Sequence, residues 1–195
     1  MGKNTNKDIL LSITMLVSDR PDTLKKCLAS MKPLLDEIPS ELIIVDTAGN
    51  ADCMETARKY TDIIVHFKWR NDFAAARNAG LRKAKGKWAM FIDDDEWFED
   101  ISDITKFFSS EKYNKFETAA YITRNYSDKS GHAYNGRVAV RLSKIRPETK
   151  FIGKIHEQLE PLYEPTYYST AYVHHYGYAF ESKEELYQHS WRNIR

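Results

Sequence analysis

The sequence predicts an α/β fold with helices flanking a Rossmann-type mixed sheet, mostly parallel in its N-terminal half. Two observations carry this. Through the first half, apolar segments alternate with helical patterns, the order that builds parallel strands joined by crossover helices. After Asp100, alternating and aromatic-rich strand patterns follow one another with longer connections, as in a mixed sheet.

The first strand is Ile9 to Val17, almost continuously apolar, as expected when both faces are buried. Pro21 opens a helix, because its fixed φ suits a first turn. Leu24, Cys27, Leu28 and Met31 then repeat at helical spacing, which makes Cys27 a small core residue. Leu42–Val45 is a second strand ending at Asp46, and a turn-rich stretch leads to a short helix from about Cys53 to Tyr60. Ile63–Phe67 is a third strand. The next helix, capped by Asn71 or Asp72, carries Phe73, Ala76, Gly80, Leu81 and Ala84 along one side and stops at Gly86. Trp88–Ile92 is the fourth strand and runs straight into Asp93-Asp94-Asp95-Glu96.

A helix from Ile101 to Ser110 precedes strand patterns at Ala119–Thr123, Val138–Leu142, Phe151–Leu159 and Ala171–Tyr176, with a polar turn around 128–131. Ser182 and Glu185 form a capping box. The helix it opens runs to Arg195 without a stop signal. The expected organisation is therefore one domain over residues 1–180 and a C-terminal helix over 181–195 that begins an extension.

At 195 residues, with 29 basic and 28 acidic side chains, the chain lacks the basic excess of a nucleic-acid binder. Its 42% hydrophobic content supports a packed core. Two cysteines make neither a disulfide framework nor a zinc motif. The apolar run behind the polar start is too short to span a bilayer and has no cleavage site, so the expected setting is cytoplasmic, with no transmembrane segment.

Ligands of open α/β sheets bind beyond the carboxyl ends of the strands, where Asp46 and the acidic run 93–96 fall. No glycine-rich phosphate loop is present, so a phosphate-bearing ligand needs a cation held by carboxylates. Hard oxygen donors favour Mg²⁺ or Mn²⁺. On an extended chain, Asp93 and Asp95 would share a side, roughly 6–7 Å apart. The alternative is a solvated acidic turn or a cap for the following helix. Glu157 is either a general base or a surface strand residue paired with Lys154. Arg77 is either a phosphate partner or half of a helix-surface ion pair. The pair His174-His175 either supplies an imidazole to a metal or is hydrogen-bonded in place.

In order, Ser12–Val17, Glu41–Thr47, Trp69–Asn78, Trp88–Glu96, Phe151–Leu159 and Val173–Tyr178 together resemble family 2 glycosyltransferases of GT-A fold, nearest the bacterial branch that includes the sublancin-type peptide S-glycosyltransferase. The resemblance implies a metal-dependent inverting transferase that takes a nucleotide sugar, a UDP-sugar foremost. The acceptor would be a glycan, a peptide or a small molecule offering a hydroxyl or thiol.

Residue by residue, the resemblance places the nucleotide against Leu16, Val17, Ser18 and Asp46. Asp72 and Arg77 would help to hold it and its phosphates. Asp93 and Asp95 match the D-x-D pair, with Asp95 the direct metal ligand. Asp93 and Asp94 would also contact the nucleotide sugar; Asp94 stands where the pattern has a small or apolar residue, so a pair shifted by one stays open. Glu157 falls at the catalytic base and His175 at a histidine that reaches metal or diphosphate. The rival functions are a non-catalytic nucleotide-sugar-binding module and, behind it, a metal-dependent nucleotidyltransferase.

Overall fold

A computed structural model describes residues 8–177 and 179. In chain order the elements are β1 (Leu11–Val17), α1 (Pro21–Glu37), β2 (Ser40–Asp46), α2 (Ala51–Ala57), β3 (Ile64–His66), α3 (Phe73–Leu81), β4 (Trp88–Asp93) and β5 (Glu96–Phe98). Then come α4 (Ser102–Ser109), a 3₁₀ turn (Lys112–Lys115), β6 (Thr118–Tyr126), β7 (Tyr134–Lys144), β8 (Lys150–Ile152), β9 (Gln158–Glu160) and β10 (Thr166–His175).

Eight strands form one sheet in the order β3-β2-β1-β4-β7-β6-β10-β5, and β8 pairs with β9 as a separate hairpin. β3, β2, β1 and β4 are mutually parallel, whereas β7 joins β4 and β6 antiparallel. β10 then runs parallel to β6 and antiparallel to β5. The expected mixed sheet, parallel in its first half, is therefore what forms.

Every residue of β1 is buried, because β2 and β4 flank it and helices cover both faces. Leu24, Cys27, Leu28, Met31 and Leu34 of α1 enter the same core. Phe107 and Phe108 of α4 meet Trp88 edge-on, at ring centroid distances of 5.5 and 5.9 Å. The chain leaves β1 toward β2 on one side and reaches β4 on the other, which creates a switch point at the carboxyl end of β1. Register puts Val17 beside Asp46 and Leu16 beside Asp93 at that edge.

Several expectations need correction. Phe151–Leu159 is not one strand: a loop with left-handed backbone at Gly153 and His156 splits it into β8 and β9. The acidic run is not extended, because the chain turns at Asp94 and Asp95 before entering β5, a strand the sequence pattern did not suggest. α3 ends at Leu81, short of Gly86. Gly86 serves a different purpose, since a Cβ there would lie 2.6 Å from the backbone nitrogen of Ser12 on β1. β7 is also longer than its apolar core, extending through the exposed residues Tyr134–Val138. The expected helix over 181–195 lies outside the described residues.

Candidate active site

At the carboxyl edge of β1, β2 and β4, five acids and three arginines interlock. Asp93 ends β4, and its Oδ1 accepts from Arg77 Nη2 at 2.8 Å. Arg141 Nη1 of β7 approaches Asp93 Oδ2 at 3.7 Å. Burial would push the Asp93 carboxyl up, but Arg77 and Arg141 together hold it at about 2.

Asp94 turns inward, and its Oδ2 accepts from the backbone N–H of Ser18 at 2.7 Å and the Ser18 hydroxyl at 3.0 Å. Its Oδ1 accepts from Arg20 Nη2 at 2.6 Å. Desolvation outweighs these partners and raises this carboxyl to about 6. Asp94 thus ties the end of β1 to the β4–β5 turn. Glu96 is buried and paired with Arg141 Nη2 at 2.8 Å. Burial nevertheless raises its pKa.

Asp95 faces the histidine that closes β10. His175 Nε2 lies 3.7 Å from Asp95 Oδ2, while His175 Nδ1 meets Asn125 Oδ1 of β6 at 2.7 Å. Arg20 Nη1 also pairs with Asp95. Burial opposes ionisation of Asp95, but His175 and Arg20 prevail and lower its pKa. Gly177 gives the pair its room, because a Cβ there would stand 2.4 Å from His175 Nε2 and 3.3 Å from Asp95 Oδ2.

Among the described residues no three His, Cys, Asp or Glu side chains form a cage for a metal ion. A cation that keeps waters and binds phosphate oxygens needs only one or two protein ligands, however. Asp95 and His175 offer such a pair, with the imidazole oriented through its other nitrogen by Asn125. The carboxylate suits Mg²⁺ or Mn²⁺, and the imidazole is the softer donor of the pair. Asp93 is paired with Arg77 and Arg141, as Asp95 is with Arg20, so either carboxylate would exchange an arginine for the cation.

Arg77, on α3, is buried, with its guanidinium between two carboxylates. Its Nε donates to Glu157 Oε1 at 2.6 Å while Nη2 holds Asp93. Nη1 is buried without a hydrogen-bond partner among the described residues, an orphaned donor of the kind a ligand oxygen satisfies. The helix-surface reading of Arg77 and the surface-strand reading of Glu157 both give way to this buried contact.

Asp46 ends β2, and its Oδ1 accepts from the N–H groups of Ala48 and Gly49 at 3.3 and 2.7 Å. Its Oδ2 meets His66 Nδ1 at 2.9 Å. Asp72, rather than Asn71, caps α3, accepting from Ala75 N–H through Oδ1 at 2.8 Å. Leu16, Val17 and Ser18 border Asp46 and Asp94, so the structure gathers the expected residues along one edge of the sheet.

Arg20, Arg141, His66 and Asn125 were not expected there. Arg141 had a legible signal, since it is a cation inside the apolar pattern Val138–Leu142. Arg20 lies in the short link between the first strand and the first helix. His66 and Asn125 gave none.

The sequence profile described as glycosyl transferase family 2 matches residues 12–173, which include every residue of this site except His175 and Gly177. The chain belongs to glycosyl transferase family 2. A TPR repeat-containing protein of Synechococcus elongatus is 30% identical over 184 residues, covering 86% of this chain and 42% of that protein. The SPbeta prophage-derived glycosyltransferase SunS of Bacillus subtilis is 28% identical over 148 residues, covering 74% of this chain and 33% of SunS. The chain thus spans well under half the length of these relatives.

The crystal structure of S. aureus TarS 1–349 in complex with UDP-GlcNAc superposes with a TM-score of 0.52 at 14% identity, covering 64% of this chain and 36% of that one. That likeness shows the GT-A fold. No helix among the described residues is long and apolar enough to cross a membrane.

Proposed function

We propose that this family 2 chain holds the donor site and catalytic base of a metal-dependent, inverting glycosyltransferase. It would move a sugar from a nucleotide sugar, a UDP-sugar foremost, to a hydroxyl or thiol on a glycan, peptide or small molecule. The observation that supports this most is the chain of contacts Asp93–Arg77–Glu157, which brings a half-buried carboxylate and an orphaned guanidinium nitrogen to the acidic edge of the sheet.

Asp95 and His175 would hold a divalent cation, which when bound offsets charge on the diphosphate leaving group. The end of β1 and the Asp46 turn line the nucleotide's side of the edge, with Asp72 at the start of the helix that carries Arg77. Arg77 Nη1 would donate to a diphosphate oxygen, a charge-assisted contact that would give this buried nitrogen a partner.

Glu157 is held through Oε1, and Oε2 is the atom to take the acceptor's proton. The acceptor oxygen or sulfur then bonds to the anomeric carbon as the bond to the diphosphate breaks on the opposite face. Positioning and a base suffice for such a step.

The test is a panel of UDP- and GDP-sugars with Mn²⁺ or Mg²⁺, against hydroxyl and thiol acceptors, following release of nucleoside diphosphate. Metal-dependent release matched by glycosylated product is the expected result. Metal-dependent binding without release would replace the proposal with a binding module, and release of pyrophosphate with a nucleotidyltransferase.

A further inference from the structure

The loop that presents Glu157 belongs to a hairpin of two three-residue strands, and that hairpin is not hydrogen-bonded into the main sheet. A lone two-stranded hairpin is marginally stable, so something outside its ladder must fix where Glu157 lies. Packing does part of this. The Phe151 ring meets Phe91 of β4 edge-on at 4.6 Å, and Leu159 enters the same small cluster. Apolar contact is non-directional and does not set the height of the strand to a fraction of an ångström.

Asn78 supplies the direction. It follows Arg77 on α3, and its side-chain amide pairs with both backbone groups of Phe151. Nδ2 donates to the Phe151 carbonyl at 2.9 Å, and Oδ1 accepts from the Phe151 N–H at 2.8 Å. This is the pairing a neighbouring strand would make, provided by one side chain. A second tie lies beyond Gly153, where the Phe73 N–H at the start of α3 donates to the Lys154 carbonyl at 2.9 Å. α3 therefore holds the loop by its backbone at two places while Arg77 holds the Glu157 carboxylate.

We propose that Asn78 is a positioning residue for transfer, setting the Glu157 loop against Arg77 without touching the donor. This rests on reading Glu157 as the base. A displaced base loses rate steeply while the nucleotide and metal contacts, on β1, β2, α3, the β4–β5 turn and β10, stay in place.

The experiment uses the whole chain and compares Asn78→Ala, Asn78→Asp and Glu157→Gln with the wild type. Asn78→Asp is nearly isosteric. It keeps the acceptor for the Phe151 N–H and sets a carboxylate oxygen against the carbonyl in place of the donor, so it serves if Asn78→Ala does not fold. The readouts are UDP affinity in Mn²⁺ by calorimetry, kcat and KM for UDP release from the UDP-sugar the wild type turns over, and amide exchange across 151–157.

Both Asn78 variants should lose kcat by at least about tenfold, keep UDP affinity within about twofold and exchange faster through the loop, with Asn78→Ala also exchanging faster at Phe151. Wild-type kcat in either folded variant overturns the inference, as does UDP affinity falling in step with kcat. If Glu157→Gln itself transfers normally, the base assignment fails and the inference falls with it. If Glu157→Gln is slow while the Asn78 variants are normal, only the inference fails.

Discussion

Arg77 and Glu157 stand 80 residues apart in the chain and meet at 2.6 Å. The first is on a helix packed beneath the parallel strands, the second in the loop of a separate hairpin. Their contact joins two parts of the chain that the sheet itself does not connect.

Arg77→Lys keeps the charge and loses the fork. One ammonium on a shorter reach cannot serve Asp93 and Glu157 together as the guanidinium does, so transfer should fall by at least about tenfold. Nucleotide affinity should fall too, because the Nη1 donor is removed. Steady-state kinetics and a UDP titration on the same preparation check this, and unchanged values in both would separate Arg77 from the site.

Asp95→Asn should abolish metal-dependent nucleotide binding, since an amide oxygen is a poor substitute for a carboxylate on a hard divalent ion. Adding a chelator to the wild type should produce the same loss. Thermal shifts with UDP, in the presence and absence of Mn²⁺, read both. A UDP-induced shift that survives chelation would count against the cation.

Gly177→Ala adds a single methyl group beside His175 Nε2, at a distance no ordinary contact tolerates. The imidazole must move away from Asp95. Mn²⁺ affinity should therefore drop in a variant whose far-UV circular dichroism matches the wild type.

Asp103 is a prediction about stability alone. Its carboxylate accepts from the Tyr167 and Ser169 hydroxyls and from the Thr170 N–H, which pins α4 to β10. Partial burial would raise its pKa, yet these donors hold it below the usual carboxylate range. A depressed folded-state pKa stabilises fully above the unfolded value, near 4, and the gain is lost as pH falls through the folded value. Asp103→Ala should cost about 1–2 kcal/mol in urea unfolding at neutral pH. The difference from wild type should shrink below about pH 4, and a constant difference would contradict the assignment.

The strands of the first half were legible because burial on both faces writes a continuous apolar run, as in Leu11–Val17 and Trp88–Ile92. Asp46 and Asp93 were legible as acids closing such runs. The hairpin around Glu157 was not, since Gly153 and a left-handed His156 break a stretch that otherwise patterns as one strand. Nor was the turn at Asp94 and Asp95, which depends on Ser18 and Arg20, 76 and 74 residues away from Asp94. Local patterns carry the period of an element. They do not say which distant cation or hydroxyl will satisfy a buried acid: even Arg141, visible as a cation in an apolar strand, gave no hint that Glu96 is its partner, and Arg20 and Asn125 belong to the same kind of information.

Glu157→Gln bears most directly on the assignment of this site. It removes the base while keeping size and an acceptor for Arg77. With Mn²⁺ and a UDP-sugar donor, the variant should bind UDP as the wild type does and transfer at least about a hundredfold more slowly. Transfer at the wild-type rate, or binding lost in the same proportion as transfer, would contradict it.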